Sequence, residues 1–158
     1  MRQSVIKHIG IGIFFVLSQL LIFQYLTIFG AFVDPLLIFL LWVALKYKRH
    51  EVLFFAAGLA LFQDSLFDVW GLNMFSKTIT MFIVYKIISR NSEVRLLIWQ
   101  VFGFIFAAAF IHNIFYLSFS SFLDAYNYSF SPIILLIGSS FYTALIGSIL
   151  HLLKGDSN

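Results

Sequence analysis

The sequence predicts an all-α integral membrane protein with six transmembrane helices, a short second helix, and both termini on the cytoplasmic side. Three observations predict it. Of 158 residues, 61% are hydrophobic and only 11% charged, whereas a soluble domain averages about 45–50% apolar and about 25% charged residues. The charges stand in short clusters between apolar runs, and several of those runs approach the roughly 20 residues that span ~30 Å of hydrocarbon. Lys and Arg, Lys77 apart, also gather at alternate run ends, as the retention of positive loops on the cytoplasmic side requires.

The first span, about 9–33, follows Arg2, Lys7 and His8 and carries no charge from Ile9 to Val33. It exceeds the roughly 7–15-residue core of a signal peptide and ends at no A-x-A-like site, so it reads as a permanent helix. Asp34-Pro35 then punctuates the chain, with Asp34 placed to cap a helix and Pro35 placed in its first turn, where a missing N–H costs nothing. The second span, about 35–47, is short because Lys46, Lys48, Arg49 and His50 follow Leu45 closely. Tyr47 and the snorkelling lysine stems carry it to the interface.

A third span, about 52–69, runs to Trp70-Gly71, and a fourth, about 72–87, returns to a boundary marked by Lys86, Arg90, Glu93 and Arg95. Spans at about 96–120 and 132–153 complete one transmembrane domain, 1–158. With both termini inside, Arg2, Lys7, Lys46, Lys48, Arg49, Lys86, Arg90, Arg95 and Lys154 all fall on the cytoplasmic side. The outer connections hold Asp34, Trp70-Gly71 and a loop with Asp124, Tyr126 and Tyr128. If the second helix only dipped into the bilayer, the Lys46–His50 cluster would be stranded outside.

Chemistry has few carriers here. There is no cysteine, hence no disulfide, thiolate ligand or thiol nucleophile. His112 has no His or carboxylate at i+3 or i+4, so no metal site is expected. The net charge of +3 comes from span-end clusters rather than a basic patch interleaved with aromatics, which excludes nucleic acid. No phosphate loop or H-E-x-x-H is present, so neither an enzyme nor a cofactor is expected.

Ionisable groups inside spans are expensive and so point to function or to specific packing. They are Asp64, Asp68, Lys77 and His112. Asp64 and Lys77 lie at equal distances from the Trp70-Gly71 turn, roughly 9–10 Å below it in an antiparallel hairpin, and an ion pair between them is expected. Asp68 follows one turn later on the same helix face, and His112 on the fifth span reaches a comparable level. Ser139, Thr143 and Gly147 form a small-residue ladder at intervals of four on the sixth span, with Ser140, Ala144 and Ser148 beside it. Gly103 and Ala107 form a shorter ladder on the fifth. Such ladders permit close helix approach in lipid, and this reading is simpler than a Ser139 or Ser140 dyad with His112, for which the G-x-S-x-G setting is missing.

The passage Val33-Asp34-Pro35-Leu36-Leu37-Ile38, then Trp42-Val43-Ala44-Leu45, a basic loop, Phe54-Phe55-Ala56-Ala57-Gly58, Phe62-Gln63-Asp64 and Trp70-Gly71-Leu72 resembles the rod-shape-determining MreD family. The likeness is most specific over Val33 to Tyr85, with Asp64 matching the family's aspartate, Gly71 its later glycine, and Ala60 standing where the family often has a second glycine. The resemblance implies a non-enzymatic, multi-pass protein of the bacterial cytoplasmic membrane that maintains rod shape. It implies the single-pass protein MreC as direct partner, and through it the actin-like filament and the wall-synthesising glycosyltransferase and transpeptidase. The structural and interaction candidates are Asp34, Pro35, Gly58, Asp64, Asp68, Gly71, Lys77 and His112, with Gly103, Ala107, Ser139, Thr143 and Gly147 on the ladders. A second class of protein is similar in length and hydropathy, the substrate-binding membrane subunits of vitamin or metal uptake transporters. Against it, the first span offers Gly10, Gly12 and Ser18 in place of the Ala-x-x-x-Ala face of such subunits.

Overall fold

A computed structural model of the chain describes residues 2–69, 71–91, 97–122 and 131–155 and is all-helical over them. The order is α1 (Arg2–Ser18), continued by a π-helical turn (Gln19–Phe23), then α2 (Pro35–Ala44), α3 (Arg49–Phe67), α4 (Leu72–Asn91) and α5 (Ile98–Phe122). A second π-helical turn (Ile134–Gly138) leads into α6 (Ser139–Gly155). Three of these segments are long and apolar enough to cross a membrane: Val5–Phe23, Ile98–Phe122 and Ile134–Leu153. Their outer surface is bare hydrocarbon, with Phe14, Leu21, Trp99 and Phe141 all more than half exposed. An apolar surface of that extent belongs in lipid, and the protein is membrane-associated.

The centre of the bundle is α2. Leu36, Leu37, Ile38 and Leu40 are fully buried, and α2 touches each of α1, α3, α4, α5 and α6. Its 10 residues rise only ~15 Å, half a bilayer, so the chain must enter the bundle before the helix begins. It stops at Ala44, short of Tyr47, because the following residues are the basic cluster. Here the bundle closes with polar aromatics: the Tyr85 hydroxyl donates to the Tyr47 carbonyl at 3.0 Å, and the Tyr47 hydroxyl meets His8 Nδ1 at 3.0 Å. Arg49 lies over the Phe82 ring, 4.0 Å from its centroid, a cation–π contact.

The first helix departs from the sequence expectation. It ends at Phe23 rather than Val33, although the apolar run continues. Ile28 and Ala31 exchange both backbone hydrogen bonds at 3.0 and 2.9 Å, and the two residues between them take positive φ, +52° at Phe29 and +86° at Gly30. That is the signature of a tight hairpin turn. Phe32 to Asp34 then run back into the bundle outside any helix or strand, a stretch that low-dielectric surroundings tolerate only where other protein groups satisfy its backbone.

Candidate functional site

The α6 ladder supplies those groups. Ser139 Oγ accepts the Phe32 N–H at 3.1 Å, and Thr143 Oγ1, one turn on, accepts the Asp34 N–H at 3.1 Å. The next rung, Gly147, gives van der Waals room: a Cβ there would meet Ile105 Cδ1 at 2.7 Å and Ile38 Cγ1 at 3.4 Å. Ser140 Oγ accepts from Asn113 Nδ2 at 3.0 Å. The ladder expected to offer contact surface to a partner is therefore spent inside the bundle. The α5 ladder faces the other way, since Gly103 and Ala107 are exposed and nothing stands within 4 Å of a Cβ at Gly103. Gly58 on α3 is likewise exposed and open.

Asp34 is the hub. Its Oδ1 accepts the Leu37 N–H at 3.0 Å, capping α2 as the Asp-Pro pair predicted, with Pro35 in the first turn. Its Oδ2 lies 2.6 Å from Lys77 Nζ and 3.2 Å from His112 Nε2. Lys77 is wholly buried and Asp34 nearly so. The expected Asp64–Lys77 pair is thus corrected: Lys77 pairs with Asp34, and its second contact is Asn73 Oδ1 at 3.1 Å. Asp64 instead caps α4 from the neighbouring helix, its two oxygens accepting the Asn73 and Met74 N–H groups at 3.1 and 2.9 Å. Two positive helix ends take the two carboxylates, and only α2 brings one of them within reach of Lys77.

Asp68 does not join this cluster. It is exposed and forms the left-handed end of α3 at φ +54°. Gly71, φ +76°, supplies the second left-handed residue of the α3–α4 turn, a conformation glycine adopts without steric cost. Trp70, Glu93, Arg95, Asp124, Tyr126 and Tyr128 lie outside the described residues.

A chamber of about 300 Å³ opens beside the hub. The end of the first helix contributes Gln19 and Phe23, the inbound segment Thr27, Phe32 and Asp34, α3 Gln63 and Phe67, and α5 His112, Asn113 and Tyr116. Sequence reasoning missed Gln19 and Gln63 because it searched for ionisable groups. The signal was present, a neutral amide inside an apolar run, which low dielectric penalises as well. No group of three or more His, Cys, Asp or Glu able to hold a metal ion occurs among the described residues. Comparison with family models, curated proteins and solved structures gives no match to this chain.

Proposed function

We propose that this protein is a non-enzymatic membrane scaffold of the MreD type, crossing the bacterial cytoplasmic membrane six times with both termini inside. In this reading it organises peptidoglycan synthesis for cell elongation through a single-pass partner, MreC. The observation that carries it is the resemblance over Val33 to Tyr85. Support comes from the part those residues play: Asp34 and Pro35 open the central half-helix, Asp64 caps α4, and Gly71 makes the turn between α3 and α4. A protein that holds a partner helix by close packing needs an outward small-residue face, and Gly103 with Ala107 supplies one.

Depletion should turn rod-shaped cells toward spheres. Gly103→Leu, on the exposed face, should leave insertion intact, weaken co-purification with MreC and round the cells. Single cysteines at Asn127 and Ser157 should label from opposite sides of the membrane with an impermeant reagent. Unaltered shape on depletion, or same-side labelling, overturns the reading. One observation, the polar chamber, favours the second reading, a substrate-binding subunit of an uptake transporter. Loss of solute uptake with normal cell shape on depletion would select that function.

A further inference from the structure

The first helix stands between two clefts that open near the basic end of the bundle, one against α2 of about 530 Å³ and one against α3 of about 510 Å³. Between them α1 is held by a narrow seam, in which Phe15 stacks on Phe39 with ring centroids 5.4 Å apart and Gly12 lets Leu59 close on the backbone. The clefts are alike in size and opposite in charge. Among the described residues, the α3 cleft is lined by one acid, Glu51, and no cation, whereas the α2 cleft is lined by Lys7 and Lys46 and no acid.

The α2 cleft is graded along its depth. On the α1 wall Gln3, Lys7 and Ile11 follow one another at intervals of four, which places them on one face at steps of ~6 Å. On the opposite wall Phe39 and Val43 lie one turn apart, and Lys46 follows in the turn that ends α2, its N–H donating to the Val43 carbonyl at 3.0 Å. Because α1 runs away from the basic end and α2 runs toward it, both amines stand at the rim and both apolar rungs, Ile11 and Phe39, lie beneath. Lys7 and Lys46 are exposed, and among the described residues neither amine meets a carboxylate, the ion pairs being those of Asp34. Retention of positive charge on one side of a membrane asks only that lysines stand at span ends. It does not ask that two of them share a cleft with hydrocarbon walls.

We infer that the cleft between α1 and α2 binds an anionic glycerophospholipid of the adjoining leaflet, its phosphate at Lys7 and Lys46 and the start of one acyl chain along Ile11, Phe39 and Trp42. Basic pockets between membrane helices suit such headgroups, and about 530 Å³ is within the usual range of ligand pockets. A free phosphate would meet the amines and leave the apolar wall uncovered, and a neutral lipid would cover the wall and leave two cations unmatched. The α3 cleft, of similar size, repels the same headgroup at Glu51. A lipid that bridges the two lysines ties α1 to the end of α2, so it stabilises the folded chain by mass action. The inference does not rest on the scaffold reading.

The test uses the full chain in phosphatidylcholine nanodiscs holding a minor fraction of phosphatidylglycerol, with bromine in the upper acyl chain of one lipid or the other. Trp42 lines the cleft, whereas Trp99 on α5 is 69% exposed and samples bulk lipid. In a chain that keeps only Trp42 (Trp70→Phe, Trp99→Phe), brominated phosphatidylglycerol should quench several-fold more per mole than brominated phosphatidylcholine. In one that keeps only Trp99 (Trp42→Phe, Trp70→Phe), the two should quench equally. Phosphatidylglycerol should also raise the melting temperature of the parent. Lys7→Gln and Lys46→Gln should each lower the apparent lipid affinity about fivefold, the worth of one lysine near an anionic surface, while Lys48→Gln, exposed at the same end but outside the cleft, should leave it unchanged. Gln3→Glu guards against a folding artefact, because a carboxylate in the first turn of α1 and four residues before Lys7 favours the helix. That variant should melt no lower than the parent in pure phosphatidylcholine and should still lose the preference for phosphatidylglycerol. Equal quenching of Trp42 by the two lipids, a loss from Lys48→Gln as large as that from Lys7→Gln, or abolition of the preference by inorganic phosphate overturns the inference.

Discussion

The starts of α2 and α4 are each held by a buried aspartate, yet the two ends differ in how the carboxylate is balanced. Asp64 accepts two backbone N–H groups, one with each oxygen. Asp34 accepts only one, and its other oxygen takes Lys77 and His112. The reason lies in the chain on either side. α4 starts directly after a tight turn, so its first amides are free to converge on a carboxylate from α3. α2 starts with Pro35, which has no N–H to give, and follows a non-helical segment whose amides at Phe32 and Asp34 go to Ser139 and Thr143. A capped helix end can hold a charge by itself; a proline-led one buried at the centre of a bundle needs a cation brought to it.

That contrast is broken most sharply at Lys77. Lys77→Met should destabilise the protein by about 3–5 kcal/mol, the cost of leaving a buried partner charge uncompensated. The double variant Lys77→Met with Asp34→Asn should recover most of the loss, since replacing both members of a buried pair is far milder than removing one. Thermal melting in detergent checks both. A single variant no worse than the double would mean that the pair contributes nothing in the folded state.

Asp64→Asn should cost less, about 1–2 kcal/mol, because the amide oxygen still accepts one of the two N–H groups and no ion is orphaned. The same melting series measures it, and a loss as large as that of Lys77→Met would show that Asp64 too depends on the cation. Smaller again is Thr143→Val, an isosteric change that strips the acceptor from the Asp34 N–H; about 1 kcal/mol is expected. Hydrogen exchange at Asp34 and Phe32 should rise with it, while α4 is unaffected.

Much of this arrangement was legible in the sequence where the determinant is local. Asp34-Pro35 announces a capped, proline-led helix, and the basic cluster after Leu45 sets its far end. The end of the first helix was not legible, because hydropathy is continuous through Val33 and the break lies in the backbone at Phe29-Gly30. The partner of Lys77 was not legible either. Counting along the hairpin pairs Asp64 with Lys77, but Asp64 meets the first amides of α4 at Asn73 and Met74, a turn short of Lys77, and Lys77 turns to Asp34 at the start of α2. The ladders follow the same rule: small residues at intervals of four reveal close approach and leave open whether the approaching group is a neighbouring helix, a non-helical backbone or another protein.

The smallest expected effect is a gain, and it bears on why the chain turns inward before α2. Phe29 holds φ +52° and is 90% exposed, so it carries the strain of a left-handed residue while burying little of itself in the protein. Left-handed backbone costs most L-residues roughly 1–2 kcal/mol, and Asn is among the few that adopt it readily. Phe29→Asn should therefore stabilise the purified protein by up to about 1 kcal/mol, raising its melting temperature by a few degrees. The Ile28–Ala31 bridge is kept in this variant, so the Asp34 hub should be untouched and Lys77→Met should cost the same in either background, as expected for sites without shared partners. If the substitution destabilises instead, the Phe29 ring is anchoring the turn in its surroundings, and the inbound segment is held from outside the bundle as well as by Ser139 and Thr143.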